Sequence, residues 1–356
     1  MRASPELLRH LTKVDELLDR AKSDEFTGYF SRDLAARAII SPGSSRESVP
    51  GPSPVEEARN RERDYILEEG RLGLEKVRQD GEDADLTPSQ KAGLEAIVLL
   101  VHRPAILVQR GNFLQVPPEW KDLNDMKDGI NQTLQSVGRI EVSGHPDLDW
   151  LGTGFLVADD VVMTNRHVAQ EFCRRSPGEW SFRSGMAGRI DYVEEFGVLE
   201  HAEFDFIGVI GIHEVYDLAL LRVQPISGSG AKPPPPLTIA SQPPGAVTGR
   251  QVFTCGYPAS DSRRNDPQEM LRIFANIFDV KRLQPGELRS LDSGNNVVMH
   301  DCSTLGGNSG SCVVDLATNQ VVGLHFGGRY LEGNNAVALW RLTDDPLLKS
   351  AKVNFD

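Results

Sequence analysis

DCSTLGGNSGSCVVD, residues 301–315, sets Gly306, Gly307, Asn308, Ser309 and Gly310 between a short apolar run and the strand-like Cys312, Val313 and Val314. A tight turn accounts for the glycines, because glycine takes positive φ at little steric cost. It does not account for a serine closely flanked by them. A nucleophilic serine needs that setting, exposed on a sharply bent backbone with neighbouring N–H groups aimed at the oxygen of the carbonyl under attack. Turns also produce Gly-x-Ser-Gly by chance. The reading therefore depends on whether the chain supplies a base, an orienting carboxylate and a β scaffold.

The scaffold is legible on both sides of the motif. From residue 137 onward GRIEV, WLGTGFLVADDVVMTNRH, FDFIGVIGIH, DLALLRV, RQVFTCGYP, NNVVMH, GSCVVDL, QVVGLHFGG and AVALWRL are short strand-like runs punctuated by Gly, Asn, Asp and Pro. Many short strands at near-even spacing predict a barrel or sandwich rather than a βαβ sheet. AKPPPPLTIASQPPGAV, residues 231–247, divides them into two groups, 137–230 and 248–356. It reads as a stiff connector between two β lobes, with a proline-rich recognition ligand as its other use.

Partners for the serine lie in the first group. VVMTNRHVA puts His167 at the end of an apolar strand, in a turn that Asn165 helps form, and HEVYDLALLRV puts Asp217 just before an alternating apolar run. A carboxylate there can accept the imidazole N–H, hold its tautomer and favour the imidazolium formed when serine gives up its proton. Alone, such a histidine is as well read as structural and such an aspartate as a turn residue. The order His, Asp, Ser joins them.

GTGFLVADDVVMTNRHVA, YDLALLRV, and GGNSGSCVVD followed by VVGLHFGG resemble the chymotrypsin-fold serine peptidases, most closely the bacterial branch that includes the glutamyl endopeptidases. The resemblance covers about residues 137–345 and implies two six-stranded antiparallel barrels with the active site between them. It implies roles for this chain: Ser309 as nucleophile, His167 as general base and then acid, Asp217 as its orienting carboxylate, and the N–H groups of Gly307 and Ser309 as the oxyanion hole. The substrate is then a protein or peptide. A catalytically silent, peptidase-like binding scaffold is the alternative.

Two departures refine the expectation. The digestive enzymes carry an aspartate before the serine, which pairs with a new amino terminus after activation cleavage. Here Asn308 cannot ionise, so GRIEV reads as an ordinary first strand. Six residues before the nucleophile, where basic specificity requires an aspartate, stands Ser303, which disfavours cleavage after Lys or Arg. Thr304 and His325 resemble the pair with which glutamyl endopeptidases hold an acidic side chain, implying a preference for Glu or Asp before the scissile bond. A small pocket taking neutral residues is the other reading. Gly327 and Gly328, by the same resemblance, leave a bare strand edge for an extended substrate.

Residues 1–118 read differently. PELLRHLTKVDELLDR places Leu7, Leu8, Leu11, Val14, Leu17 and Leu18 on one helical stripe, SRDLAARAII suggests a shorter helix, and SPGSSRESVPGPSP, residues 41–54, is a linker. SPVE and TPSQ, starting at Ser53 and Thr87, are capping boxes with proline in the first turn, and each opens a helix. EEARNRERDYILEEGRLGLEKVRQD is a solvated helix face or a coiled-coil seam. The expectation is a helical regulatory or interaction region that binds a protein partner or controls access to the peptidase. RPAILVQRGNFLQVPP suggests a hairpin turning near Gly111–Asn112, and residues 119–136 a connecting helix.

Composition bounds the rest. With 38 Lys and Arg against 51 Asp and Glu, the net charge of -13 disfavours nucleic-acid and anionic-membrane partners, which attract clustered positive charge. The longest apolar run, AIVLLV at 96–101, is too short to span a bilayer, and the start lacks the apolar core of a secretory signal, so the expected location is the cytoplasm. Cys173, Cys255, Cys302 and Cys312 lie in or beside apolar segments without C-x-x-C spacing, and read as buried reduced thiols. Without H-E-x-x-H or a Gly-rich phosphate loop, neither metal nor nucleotide cofactor is expected.

Overall fold

The computed structural model describes residues 54–91, 93–94, 103–114, 116–176, 178–259, 277–329 and 333–356. The expected helices within 5–40, the linker to residue 53, the cap at Ser53 and the apolar run 96–101 lie outside them. The chain divides into two compact units, the first including the chain up to Pro104 and the second formed by Ala105–Asp261 and Phe278–Asp356.

In the first unit, helix α1 (Pro54–Asp80) starts with proline in its first turn and buries Leu74 and Val77 near its end. Its exposed face is laced by Arg71, which bonds Glu68 at 2.7 Å and also Glu75, the three- and four-residue spacings that stabilise helices. The second capping box is formed: Gln90 N–H donates to Thr87 Oγ1 and Thr87 N–H to Gln90 Oε1, both at 3.1 Å.

The second unit begins earlier than the expected boundary at 118. β1 (Ile106–Gln109) and β2 (Asn112–Phe113) form the expected hairpin, and β1 pairs through Ile106 and Leu107 with β12 (Arg282–Asp292). Residues 105–114 thus belong with the barrels, because their alternating apolar side chains bury Ile106 and Val108 in that core. The expected helix over 119–136 is broken: a 3-10 stretch runs from Pro118 to Asn124, and only α2 (Lys127–Gln135) is α-helical, burying Ile130, Thr133 and Leu134.

Two barrels follow. The first closes six antiparallel strands, β3 (Val137–Ser143), β4 (Trp150–Ala158), β5 (Val161–Thr164), β8 (Ala187–Asp191), β9 (Glu203–Ile212) and β10 (Ala219–Val223), in the order β10-β5-β4-β3-β8-β9. α3 (Arg166–Phe172) follows β5, and a ribbon of β6 (Cys173–Ser176) and β7 (Glu179–Phe182) lies outside the barrel. The second barrel runs β11 (Gln251–Gly256), β14 (Cys312–Asp315), β15 (Val321–Arg329), β16 (Gly333–Ala338), β13 (Val297–His300) and β12, closed by the β11–β12 pairing. The short α4 (Pro346–Ser350) ends the chain's regular structure.

Why the barrel strands read as nearly continuous apolar runs is visible in their packing. Successive side chains on a strand face opposite ways, and here both faces are buried. Leu156, Val162, Ala219 and Leu221 fill the first barrel, while their neighbours Phe155, Val157, Met163 and Leu220 join a second core. From the other barrel, Phe253, Cys255, Cys312, Val314 and Leu324 reach that same core, while Val252, Val313 and Val322 fill the barrel interior. A shared apolar layer between the barrels fixes where their rims meet. None of the four cysteines forms a disulfide, and all four are buried. Burial pushes the Cys173 and Cys255 thiols up to about 12.

The proline-rich segment 231–247 joins β10 to β11 and is pinned at both barrels. Leu237 N–H donates to Leu156 O at 2.8 Å and Ala240 N–H to Val321 O at 3.0 Å. No helix among the described residues is long and apolar enough to cross a membrane.

Candidate active site at the barrel junction

Asp217 precedes β10, and His167 is the second residue of α3, so the short connections after β5 and before β10 bring them together. His167 N–H donates to Asp217 Oδ1 at 3.0 Å, and His167 Nδ1 lies 2.7 Å from Oδ2. Asn165 sits at the N-cap position but does not cap α3. Its Nδ2 donates to Asp217 O at 2.9 Å, fixing the aspartate's backbone as well. Partial burial pushes the Asp217 carboxyl up, but the His167 hydrogen bonds and positive charge outweigh it and hold the group below the usual carboxylate range. The His167 side chain is 49% exposed, open to a ligand.

Ser309 lies on the turn before β14, and Thr153 of β4 ties that turn to the first barrel. Thr153 N–H donates to Ser309 O and its hydroxyl to Gly307 O, both at 2.8 Å, while Thr164 Oγ1 donates to Thr153 O at 2.7 Å. Thr164 is three residues before His167, so one threonine links the serine turn to the strand that leads into the histidine. On its far side the turn is fixed by Gly310 N–H donating to His325 O at 2.9 Å.

The two glycines behave as the motif requires. Gly307 has φ +85° and Gly310 φ +91°. A Cβ on Gly310 would lie 2.0 Å from Thr153 O, and one on Gly307 would lie 2.3 Å from Tyr257 O. Gly306 O accepts from Ala259 N–H at 2.6 Å, which aims the N–H of Gly307, on the opposite edge of the same trans peptide, the other way. Among the described residues, the N–H groups of Gly307 and Ser309, the Ser309 hydroxyl and His167 Nε2 have no hydrogen-bond partner. Ser309 and His167 are therefore not hydrogen-bonded to each other here, as in many ligand-free sites whose bonds tighten on binding.

Asn308 is buried, with Nδ2 donating weakly to Leu305 O at 3.4 Å. Ile140 is buried within β3, as an ordinary strand residue.

Of the expected pocket residues, Ser303 is buried, Thr304 is half-buried, as is the expected nucleophile Ser309, and His325 sits on β15 with 2% exposure. Two neighbours escaped the sequence reading. Thr304 Oγ1 donates to Asn334 Oδ1 at 2.7 Å, and Asn334 Nδ2 donates to Cys302 O at 2.7 Å, which fixes the amide's orientation. His325 Nδ1 lies 3.1 Å from Nε2 of His300, a fully buried histidine whose own Nδ1 has no partner among the described residues. Burial pushes His300 down to about 3; burial, then the His300 and His167 charges, push His325 well below the usual imidazole range. Both rings are neutral at neutral pH. We assign the His300 proton to Nε2, because the other tautomer would leave an orphaned buried N–H in place of an orphaned acceptor. His325 Nδ1 then accepts it, and His325 carries its own proton on Nε2. Gly327 and Gly328 lie on β15 opposite Asn335 and Asn334 of β16.

Carboxylates group elsewhere, in Asp191, His201 and Glu203 and in Glu141, Asp191 and Glu194. Their oxygens are engaged. Asp191 accepts from Val193 N–H and Ala202 N–H, both at 2.9 Å, and Glu141 from Arg139 and Arg189. They are read as a charge network bracing β3, β8 and β9.

Residues 152–324 match the family described as trypsin-like peptidase domain. A probable serine protease of Lysobacter enzymogenes is 28% identical over 362 residues, 87% of this chain and 92% of that protein. A glutamyl endopeptidase of Staphylococcus epidermidis is 27% identical over 191 residues, 52% of this chain and 57% of that protein. A solved structure of a protease from M. tuberculosis in its active form has a TM-score of 0.44 at 21% identity, covering 65% of this chain and 87% of that one. The family match starts on β4 beside Thr153 and ends on β15 beside His325, so it spans the junction just described, and the chain carries a peptidase domain of the trypsin-like serine peptidases.

Proposed function

We propose that the domain hydrolyses peptide bonds of protein substrates through an acyl-enzyme on Ser309. Ser309 Oγ bonds to the scissile carbonyl carbon as its proton passes to His167 Nε2. The carbonyl oxygen becomes an oxyanion held by the N–H groups of Gly307 and Ser309. Collapse of the tetrahedral adduct breaks the C–N bond, and His167 returns the proton to the leaving amine; water, deprotonated by the same imidazole, then releases the acid. Asp217 accepts the His167 Nδ1–H and favours the imidazolium. The two-point grip of Asp217 on His167 carries this reading. A fluorophosphonate probe tests it: the parent should label and Ser309→Ala should not. An unlabelled parent would favour a silent scaffold.

A preference for Glu or Asp before the scissile bond is the finer proposal, supported by the neutral His325 with its proton on Nε2, a donor for a carboxylate. One observation favours a neutral polar residue instead. The Thr304 hydroxyl gives its proton to Asn334 and so presents lone pairs, which repel a carboxylate. Cleavage-site mapping on a proteome digest separates the two. We further propose that the helical region before Ala105 regulates the peptidase or binds a protein partner, and that the protein works inside the cell, where its four buried thiols need no oxidising compartment. Equal peptidase rates for the full chain and one starting at Ala105 would remove the regulatory role.

A further inference from the structure

We infer that His213 and Asp345 form a positioning pair that sets the height and angle of Asp217; the inference rests on the triad proposed above. Asp217 is the fifth residue of a tight loop that leaves β9 at His213 and enters β10 after Leu218, closed by His213 N–H donating to Leu218 O at 2.9 Å. The loop is built around the His213 ring. Val215 N–H and Tyr216 N–H both donate to His213 Nδ1, at 3.0 and 2.9 Å, just ahead of Asp217. An imidazole nitrogen accepting two amides carries no proton, so His213 Nε2 bears it and donates to Asp345 Oδ2 at 2.9 Å. The other oxygen of Asp345 caps α4, accepting from Leu347 N–H at 2.9 Å and Leu348 N–H at 3.2 Å. The ring and the carboxylate are only 11% and 12% exposed, so the chain of bonds is shielded from water.

The consequence is mechanical. α4 belongs to the segment after the second barrel, yet through Asp345 it holds the ring on which the Asp217 loop is folded. Arg166, the residue before His167, closes the circuit by donating to Glu214 O at 2.9 Å. Asp217 is thus held from both sides, by the α3 turn that carries His167 and by the C-terminal helix cap. Among the described residues His213 makes no hydrogen bond to His167 or Ser309 and acts through the Asp217 loop, so it is a positioning residue.

The test compares His213→Ala, His213→Asn and Asp345→Ala with the parent on a peptide that the parent cleaves, reading kcat, KM and the pH profile of kcat/KM for the full chain. His213→Ala should lower kcat by about ten- to a hundredfold, the usual effect of misplacing a reacting group by about 1 Å. KM should stay within about twofold, and the acid limb should move to lower pH because a displaced carboxylate no longer favours the His167 imidazolium. His213→Asn, whose Oδ1 can accept the same two amides, should restore most of kcat. Asp345→Ala should move the acid limb in the same direction. Loss of stability alone would lower the active fraction without moving that limb. A limb unmoved in Asp345→Ala and in whichever His213 variant folds, or a His213→Asn no better than His213→Ala, overturns the inference. Asp217→Asn distinguishes the two claims: if it keeps parental activity the triad fails, and if it is inactive while His213→Ala is parental only the positioning role fails.

Discussion

Asp217 holds His167 at two atoms at once, the backbone amide on Oδ1 and the ring on Oδ2. One contact would locate the imidazole; two also fix its plane and tautomer. Asp217→Asn keeps the volume but turns one acceptor into a donor, so either the amide bond is lost or the ring's proton moves to Nε2, where it blocks uptake from Ser309. We expect kcat to fall by about 10³–10⁴-fold with KM little changed. A loss below tenfold in steady-state assays would show that the carboxylate is not part of the reaction.

Gly310→Ala should damage both folding and catalysis. The new Cβ would sit 2.0 Å from Thr153 O, and the residue would hold φ +91°. Backbone strain of that kind costs about 1–3 kcal/mol before the collision is counted. Relief requires the serine turn to leave Thr153, which also fixes Ser309 O and Gly307 O. Urea unfolding should show a lower midpoint, and fluorophosphonate labelling of the folded fraction should slow. A parental midpoint with parental labelling would contradict this account.

The barrel strands could be read because burial on both faces writes a dense apolar run, as in FLV at 155–157 and CVV at 312–314. β6 and β7 could not, since CRRS and EWSF form an outer ribbon whose charged side chains reach water. β12 was concealed by Pro285 and Gly286, ordinarily strand breakers. Pro285 falls where β12 is paired with β11 but lies between its contacts with β1, ending at Leu283, and β13, starting at Leu288. The His-Asp pair was legible because both residues flank strong strands. Asn334 and His300 were not, because only the register of β13, β15 and β16 brings them to Thr304 and His325.

In the specificity pocket proposed above, the hydrogen bond from Thr304 to Asn334 decides whether the threonine hydroxyl offers a proton or lone pairs. Asn334→Ala frees the Thr304 hydroxyl proton, and the efficiency of cleavage after Glu should rise relative to cleavage after Gln, by about three- to tenfold for one gained hydrogen bond to a charged group. His325→Ala should lower the same ratio. Matched peptides differing only at that residue provide the measurement. An unchanged ratio in both variants would remove these side chains from specificity.

The buried His300–His325 pair should make stability depend on pH. Both folded-state values are depressed, so below about pH 6.5 the unfolded chain takes up protons that the native rings refuse. Their contribution is fully present above that pH and is lost as pH falls toward the depressed value, about 3 for His300. The slope is at most about 1.4 kcal/mol per pH unit for each ring. Urea midpoints at pH 7.5 and 5 should differ accordingly, and His300→Gln should show a shallower dependence. Equal slopes in variant and parent would mean that His300 titrates alike in both states.

Lys281 should be among the most sensitive single positions for stability. Its side chain is fully buried just before β12, with Nζ donating to Leu134 O at 2.8 Å, Tyr192 O at 2.7 Å and Glu195 Oε1 at 3.3 Å. It thereby ties the second barrel to α2 and to the loop between β8 and β9. Lys281→Met keeps the length of the side chain but strands the Glu195 carboxylate, only 2% exposed, with Gly111 N–H at 2.8 Å as its remaining donor among the described residues. Removing one member of a buried ion pair costs about 3–5 kcal/mol. Adding Glu195→Gln should return part of that loss, because the stranded charge is then gone although the two carbonyls stay unpaired. A double variant less stable than Lys281→Met would show that the charge of Glu195 is compensated by another group, and that the ammonium serves chiefly the carbonyls.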